Sequence, residues 1–391
     1  MSRLPTPVLL LGLTAFLGDV SSEMIYPLLP GFLTVTLGAA PWVIGVVEGA
    51  AETTSALLQS VSGRLADRMG KRKPLTLFGY AISGLARPLV GLAHAWPTVL
   101  AIRLLDRVGK GLRTAPRDAL IADATPADSR GRAFGFHRAA DHAGATAGPL
   151  LASLLLATTS LQLRDVFLLA GIPAVLAFGV LLLVREPPVA VPLVHPPTRV
   201  PWASWPEPYR RLLGATLVFT LGNSTDALLL LKLQQVGVPV AWLAALWALM
   251  SSGKMAANAL GGRLSDRLGR KPLMVAGWAV FAGVYLGMGF AQSVPLTVAL
   301  FLTYSLYFGL TEPVEKAWVV DLVPANQRAS ALGLRQTAVG LGALPASLIA
   351  GALWSAWGPM AAFGTGAVLA GIGLLLLLRV DGAPKSAASA A

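Results

Sequence analysis

Apolar residues recur along the chain in long runs, and short polar segments rich in glycine and proline separate them. Most runs hold about twenty residues, the length that a helix needs to cross the ~30 Å hydrocarbon core of a bilayer. The pattern therefore predicts an all-α membrane protein with twelve transmembrane helices. The predicted spans are residues 7–33, 42–62, 75–95, 97–118, 134–158, 165–184, 210–234, 240–261, 273–291, 295–319, 331–355 and 359–379.

The connections between these spans alternate in charge. Basic clusters such as Arg64 to Lys73 and Arg263 to Lys271 mark one set of connections, whereas the other set, such as Gly38 to Trp42, is nearly free of basic residues. Arg164 is the exception. Because basic connections stay in the cytoplasm, the alternation predicts a multi-pass protein of a bacterial plasma (inner) membrane, with both termini in the cytoplasm.

Composition excludes several other classes of protein. Only 13% of the residues are charged and the mean hydropathy is +0.66, whereas a soluble domain is about a quarter charged. The net charge of +12 lies in short clusters between apolar runs, so we expect the lipid bilayer and no nucleic acid as a partner. With no cysteine and no phosphate-binding loop, nucleophile or metal motif, we expect no enzyme, metal site or cofactor. The expected energy source is an ion gradient, most simply of protons.

The two halves of the chain repeat each other. GRLADRMGKRKPL at 63–75 returns as GRLSDRLGRKPL at 262–273, each between the second and third spans of its half. FLGDVSSE at 16–23 has a weaker counterpart in TLGNSTDA at 220–227. Such repeats are common in secondary transporters, where the substrate site lies between them near the midplane of the membrane.

The repeats predict a division of the chain into two pseudo-symmetric six-helix bundles. We expect these bundles at residues 1–185 and 209–380. A proline-rich cytoplasmic linker is expected at 186–208, and a disordered tail at 381–391.

Three motifs give the chain a family resemblance. The connection after the second span carries G-x-L-a-D-r-x-G-r-[RK], with a near copy in the second half. The fourth span has Arg107 and Gly111 of R-x-x-Q-G, but Lys110 replaces the glutamine. The fifth span carries the exporter motif G-x-x-x-G-P without its trailing glycines. The residues concerned are Gly63, Asp67, Arg68, Gly70, Arg72 and Asp266 in the connections, and Gly144, Gly148 and Pro149 in the fifth span.

In these motifs the chain resembles the major facilitator superfamily, and among its members the drug:proton antiporters that act as exporters. The resemblance implies alternating access between two states. It also implies that Asp67 holds the two halves together on the cytoplasmic side when the carrier faces outward.

Ionisable residues inside membrane spans are costly and usually face a water-filled path or the bundle interior. Asp19, Ser22, Glu23 and Tyr26 share one face of the first span. We predict that the coupling proton is carried by one of Asp19, Glu23 and Asp226. The predicted substrate cavity comprises Tyr26, Glu52, Arg103, Arg107, Lys110, Arg138, Asp141, Asn223 and Glu312.

A structural role is the alternative for several of these charges. Glu312 and Lys316 have the spacing of an intrahelical ion pair, as do Arg138 and Asp141. For the first span the hypothesis is that Asp19 or Glu23 exchanges between a proton and a pairing with substrate or a cation of the fourth span. The rival interpretation is a permanent ion pair that fixes the helices.

The function favoured by these features is proton-coupled export of small organic solutes, drug-like compounds among them, by a monomeric carrier. A second interpretation is a transporter of an anionic metabolite or metal complex, with Arg103, Arg107 and Lys110 as an anion clamp. A third is a membrane receptor or scaffold that does not transport. The retained charges inside the spans disfavour the third, because a scaffold would gain from apolar replacements.

Overall fold

The structure is a computed structural model that describes residues 4–69, 71–126, 130–186, 201–324 and 327–380. In these five ranges the regular structure is helical throughout. The predicted linker 186–208 and tail 381–391 fall largely outside the described residues, so those boundaries stay predictions.

The twelve predicted helices are confirmed. Their bounds are α1 Thr6–Thr36, α2 Pro41–Met69, α3 Lys73–Leu92, α4 Trp96–Asp123, α5 Arg130–Thr158, α6 Leu163–Leu182, α7 Glu207–Gln235, α8 Val240–Leu268, α9 Arg270–Phe290, α10 Val294–Leu322, α11 Arg328–Trp357 and α12 Pro359–Leu378. Helices α2 and α8 run past their predicted ends at 62 and 261. The arginine-containing segments beyond the apolar runs remain good helix formers, so the helices continue into the basic connections.

Nine helical segments of the described chain are long and apolar enough to cross a membrane by length and composition alone. Helices α2, α4 and α5 are not among these segments. They carry mid-helix ionisable residues, such as Glu48 in α2, Arg103 in α4 and Asp141 in α5. These three helices can lie in a bilayer because their charges face other helices or a cavity rather than lipid.

Two ends of the bundle can be distinguished. We call the end with the connections α2–α3, α4–α5, α8–α9 and α10–α11 the basic end, and the end with the connections α1–α2, α3–α4, α7–α8, α9–α10 and α11–α12 the apolar end. The positive-inside rule assigns the basic end to the cytoplasm.

Helix α1 changes its hydrogen-bonding pattern on its way to the apolar end. It is regular over Thr6–Glu23, passes a 3-10 turn at Tyr26–Leu28 and ends in a π-helical turn at Phe32–Thr36. Pro27 and Pro30 lack the backbone N–H that a regular helix needs, which accounts for the change.

Helix α7, the counterpart of α1 in the second bundle, is interrupted between its segments Glu207–Gly222 and Ala227–Gln235. The Thr225 hydroxyl accepts a hydrogen bond from the backbone N–H of Ala227, at 3.2 Å, where the second segment begins. Discontinuous helices at matching positions of two repeats often mark a binding site.

The bundles α1–α6 and α7–α12 meet mainly along two helix pairs, α2 with α11 and α5 with α8. The α2–α11 seam is tightest near the apolar end. A Cβ added at Gly45 would lie 2.1 Å from the carbonyl oxygen of Ser347, and one added at Gly351 would lie 3.0 Å from the Cα of Trp42. Only glycine allows these backbones to approach so closely, and the contact closes the apolar end.

Within the first bundle, the glycines of the exporter motif fit α5 against α1. A Cβ at Gly144 would lie 2.4 Å from the carbonyl oxygen of Phe16, and one at Gly148 would lie 2.6 Å from that of Val20. The motif therefore has a packing role here, since it brings the backbones of two helices into contact.

Candidate functional site

A cavity of about 340 Å³ lies between the two bundles. Its charged lining residues are Glu23, Glu48, Glu52, Arg107, Lys110 and Asp226. Aromatic rings of Tyr26, Trp247, Tyr304 and Phe308 form much of the remaining wall. We call this the central cavity.

A second cavity, of about 890 Å³, adjoins the central cavity toward the basic end. The two cavities share Glu52, Lys110, Val339 and Ala343 as lining residues, so they lie next to each other. Since the α2–α11 seam closes the apolar end, the path from the central cavity leads to the basic end.

The arginines of α4 pair with glutamates of α2. Arg103 Nη2 lies 2.7 Å and 2.8 Å from the two carboxylate oxygens of Glu48, and both side chains are buried. One turn along both helices, Arg107 Nη2 lies 3.3 Å from Glu52 Oε1. The hypothesis paired a cation of α4 with Asp19 or Glu23 of α1. In the structure, Arg103 and Arg107 of α4 pair with glutamates of α2 instead.

Asp106 extends the Glu48–Arg103 pair into a buried network. Its carboxylate lies 3.0 Å from Arg87 Nε and 3.5 Å from Arg103 Nη1. Arg87 Nη1 also donates to the carbonyl oxygen of Gly18 at 2.7 Å. The network joins α1, α2, α3 and α4, and Arg103 lies outside the lining of both cavities.

Glu23 and Tyr26 of α1 contact the other bundle. Trp247 Nε1 of α8 donates to Glu23 Oε2 at 2.8 Å, and the ring centroids of Tyr26 and Trp247 are 4.9 Å apart. Both Asp19 and Glu23 pack against glycines of α5, since a Cβ at Gly144 would be 3.0 Å from the Asp19 Cβ and one at Gly148 would be 3.2 Å from the Glu23 Cβ. Asp19 does not line either cavity among the described residues.

The second bundle contributes its own ion pair to the central cavity. Asp226 Oδ2 lies 3.3 Å from Lys254 Nζ, and Asp226 Oδ1 accepts a hydrogen bond from the Tyr304 hydroxyl at 3.0 Å. Asn223 Nδ2 donates to the Tyr307 hydroxyl at 3.3 Å. The interruption of α7 thus places both predicted α7 residues, Asn223 and Asp226, at the cavity wall.

The remaining candidates lie nearer the basic end. Arg138 and Glu312 line the second cavity, and Glu312 lies 3.6 Å from Lys316 Nζ. Asp141 lies outside both linings, with its Oδ2 3.7 Å from Arg138 Nη1 and 3.5 Å from His137 Nδ1. The two intrahelical ion pairs proposed as structural alternatives, Glu312–Lys316 and Arg138–Asp141, are therefore present.

The predicted gating motif is described only in part. An added Cβ at Gly63 would make ordinary contact with Ala115, at 3.4 Å. Arg72 Nε lies 3.5 Å from Asp123 Oδ2. Gly70 and the side chains of Asp67, Arg68 and Asp266 lie outside the described residues, so the gating role stays a prediction.

Sequence reasoning did not single out Arg87, Trp247, Tyr304 or Phe308. The sequence could have indicated Arg87, because a lone cation inside an apolar span usually faces the bundle interior. The three aromatic residues had none, because an aromatic residue in a membrane helix is most often a packing or interface residue.

The sequence pattern of the Major Facilitator Superfamily matches residues 11–251 and 211–391, which together cover nearly the whole chain. The chain belongs to this superfamily. An MFS-type transporter of Methanocaldococcus jannaschii is 36% identical over 384 residues, which cover 95% of this chain and 94% of the relative. The multidrug resistance protein MdtH of Cronobacter sakazakii is 25% identical over 338 residues, or 82% and 79% of the two chains.

A solved structure shows the same superfamily fold. The crystal structure of a bacterial homolog of the human lysosomal transporter Spinster, in an inward-facing and occupied conformation, matches with a TM-score of 0.78. The match covers 96% of each chain at 17% sequence identity. The chain is therefore a multi-pass membrane transporter of the superfamily, with two six-helix bundles, and it is not an enzyme.

Proposed function

We propose that this superfamily member is a secondary active transporter that exports small organic solutes, drug-like compounds among them, in exchange for protons. One observation carries the proposal. Asp19 and Glu23 are the membrane-embedded carboxylates that have no ion pair among the described side chains. A carboxylate without a fixed cation can gain or lose a proton without leaving a buried cation uncompensated.

Glu23 is placed to link that proton to the movement of the bundles. It lines the central cavity in the first bundle and accepts a hydrogen bond from Trp247 in the second. A change in its charge alters a contact between the two bundles and alters the cavity that holds the solute. Protonation and the choice between two states would then be coupled.

The open path toward the basic end is the loading route that export requires, and an importer would release its solute by the same path. By the positive-inside rule this end faces the cytoplasm, so the cavity is accessible from the side on which an exporter loads its solute. The resemblance to the drug:proton antiporters and the likeness to the multidrug resistance protein MdtH favour export.

The other interpretations receive less support. The anion clamp loses Arg103, because Glu48 binds that guanidinium in a buried ion pair and Arg103 itself lines neither cavity. As parts of the same proposal, the transporter needs no cofactor and works as a monomer in the plasma (inner) membrane with both termini in the cytoplasm. Its bundles are taken as residues 1–185 and 209–380.

The proposal is tested by flux into proteoliposomes under an imposed pH gradient. We expect Glu23→Gln or Asp19→Asn to abolish flux driven by the gradient, whereas solute exchange without a gradient survives because it moves no net proton. Asp165→Asn is the matched control, since Asp165 binds the backbone N–H of Gln162 at the apolar end and lines neither cavity. If Glu23→Gln and Asp19→Asn both keep full pH-driven flux with unchanged pH dependence, the proposal fails.

A further inference from the structure

The charges around the central cavity balance in pairs except for one acid and one base. Three of the four lining carboxylates have a cation: Glu48 with Arg103, Glu52 with Arg107, and Asp226 with Lys254. Glu23 has the Trp247 indole as its hydrogen-bond donor and no cation. Lys110 has neither an ion pair nor a side-chain hydrogen bond within the described part of the chain.

Both leftover groups face the same space. Glu23 lines the central cavity from α1, and Lys110 lines it from α4. Glu23 Oε1 has no protein donor among the described residues, so one oxygen of this carboxylate is available. In the central cavity, the Glu23 carboxylate can therefore accept a hydrogen bond from a cationic group, and the Lys110 ammonium can donate one to an anionic group.

An apolar surface adjoins the two charges. The rings of Tyr26 and Trp247 pack 4.9 Å apart, and Phe308 lines the same cavity from α10. The volume of about 340 Å³ is at the lower end of the range for small-molecule sites, roughly 300–1,000 Å³. The solute that fits is small, with an apolar or aromatic body.

We infer that the central cavity binds a small aromatic zwitterion, with its ammonium group on Glu23, its carboxylate on Lys110 and its ring against Tyr26 and Trp247. Each charge of such a solute meets one of the unpaired groups, so every charged group that lines the central cavity then has a counter-charge. This inference rests on the proposed function, because the Glu23 carboxylate that would bind the ammonium is also a candidate carrier of the proton. Because the ammonium group and the proton compete for the Glu23 carboxylate, the carrier would bind one when it releases the other, and this exchange is antiport.

Lys110 is the residue that would select for a carboxylate. It stands where the family motif has glutamine, whose amide carries no charge. Replacing it by glutamine restores the motif residue and removes only the cation. The variant Lys110→Arg keeps the charge and serves as the conservative comparison.

The test measures binding to the purified full chain in detergent by calorimetry. The probes are tryptophan, tryptamine, which lacks the carboxylate, and indole-3-propionate, which lacks the ammonium group. A second set is phenylalanine, phenethylamine and 3-phenylpropionate. The proteins are the unchanged chain, Lys110→Gln, Lys110→Arg and Glu23→Gln. Lys271→Gln is the matched control, because Lys271 Nζ binds the carbonyl oxygens of Leu378 and Val380 outside both cavities.

We expect each amino acid to bind about tenfold or more tightly than either of its analogues, since each charged hydrogen bond adds to affinity. Lys110→Gln should reduce amino-acid affinity to the level of the amine analogue, and Glu23→Gln to the level of the acid analogue. Lys110→Arg should retain most of the affinity, and Lys271→Gln all of it.

Three results would overturn the inference: no binding of either amino acid, binding no tighter than that of the analogues, or unchanged affinity in Lys110→Gln. The comparison of ligands on the unchanged chain decides the matter even if a variant does not fold. The assay uses no pH gradient. Flux by the unchanged chain that does not respond to an imposed pH gradient would refute the proposed function and leave the binding result standing.

Discussion

Glu48 and Glu52 lie one turn apart on α2 and pair with Arg103 and Arg107, one turn apart on α4. Their surroundings differ sharply. The Glu48 side chain is 2% exposed, whereas that of Glu52 is 51% exposed, because it faces the water-accessible space of the cavities. The same pair of residue types therefore serves as a buried anchor in one place and as a cavity wall in the other.

This difference in burial makes a prediction about stability. Glu48→Gln should lower the free energy of unfolding by about 3–5 kcal/mol, because it leaves the buried Arg103 with only Asp106, which Arg87 shares. Glu52→Gln should cost less than Glu48→Gln, because the Glu52 carboxylate is 51% exposed and its pairing with the buried Arg107 is screened by water on one side. Thermal unfolding in detergent measures both, and equal losses of stability would contradict the structure.

The double variant Glu48→Gln/Arg103→Gln separates a pairing role from other roles of the two residues. It should recover part of the stability lost in Glu48→Gln, because no uncompensated cation remains. A double variant as unstable as the sum of the two single variants would mean that the pair itself contributes little.

At the scale of elements, α2 and α11 form the seam that closes the apolar end. Glycines on α2 bring the two backbones together, and Thr53 of α2 donates to the carbonyl oxygen of Gly340 at 2.7 Å. A seam made of close backbone contacts cannot yield gradually, because a single added methyl group already overlaps the facing carbonyl. We therefore expect the α2–α11 seam to have two states, one with the backbones in contact and one with the helices separated.

A methyl group at Gly45 should shift the transporter toward the state that is open at the apolar end. In Gly45→Ala the new Cβ would meet the Ser347 carbonyl oxygen at 2.1 Å, so the closed seam is strained. A cysteine at Ala343, which lines both cavities, should then react several-fold faster with an impermeant maleimide from that side. Gly371→Ala is the control, since no atom lies within 4 Å of its added Cβ. Equal labelling of the two variants would count against the seam as the gate.

The whole molecule has a defined orientation if the basic end faces the cytoplasm. Single cysteines at Ala39 or Ala95, at the apolar end, should react with an impermeant reagent only from outside the cell. A cysteine at the exposed Ser204, within the predicted linker, should react only from the cytoplasmic side. The chain has no native cysteine to interfere. Reaction of Ala39→Cys or Ala95→Cys only from the cytoplasm would reverse the assigned orientation.

The balance between the two states of the whole molecule should depend on Asp67, in the last turn of α2. Asp67→Asn should leave the protein in the membrane but reduce transport strongly. It removes a charge whose interaction with a helix terminus is worth roughly 0.3–2 kcal/mol, enough to shift a two-state balance by a few-fold or more. Asp266→Asn, in the second-half copy, should have a smaller effect. Full transport by Asp67→Asn would exclude the gating role.

Helix α1 shows where reasoning from periodicity stops. A regular helix would put Asp19, Glu23 and Tyr26 on one face, and the sequence predicts a single site from that face. In the structure Glu23 and Tyr26 line the central cavity, whereas Asp19 lies against Gly144 of α5. Asp19 and Glu23 both lie in the regular segment Thr6–Glu23, so the difference comes from what surrounds each level of the helix and not from a change of period.

Local properties of the sequence determined the class of molecule. Each of these properties can be determined without knowing the fold: the hydropathy of a span, the charge of a connection and the residues of a motif. They were sufficient to predict twelve helices, two repeated bundles and membership of a transporter family. They also placed Glu52, Arg107, Lys110 and Asn223 among the cavity candidates and Asp226 among the candidate proton carriers, because a charged or polar residue inside a span must avoid lipid.

The partner of each charge was decided by tertiary structure alone. Periodicity tells which residues of a helix share a face, but not which helix that face meets. Arg103 could have met Asp19 of α1 and instead binds Glu48 of α2, and Glu23 binds Trp247 in the other half of the chain. Ion pairing in a low-dielectric interior depends on distances of a few ångströms, so only the packing of the helices shows which carboxylates remain free to bind a proton.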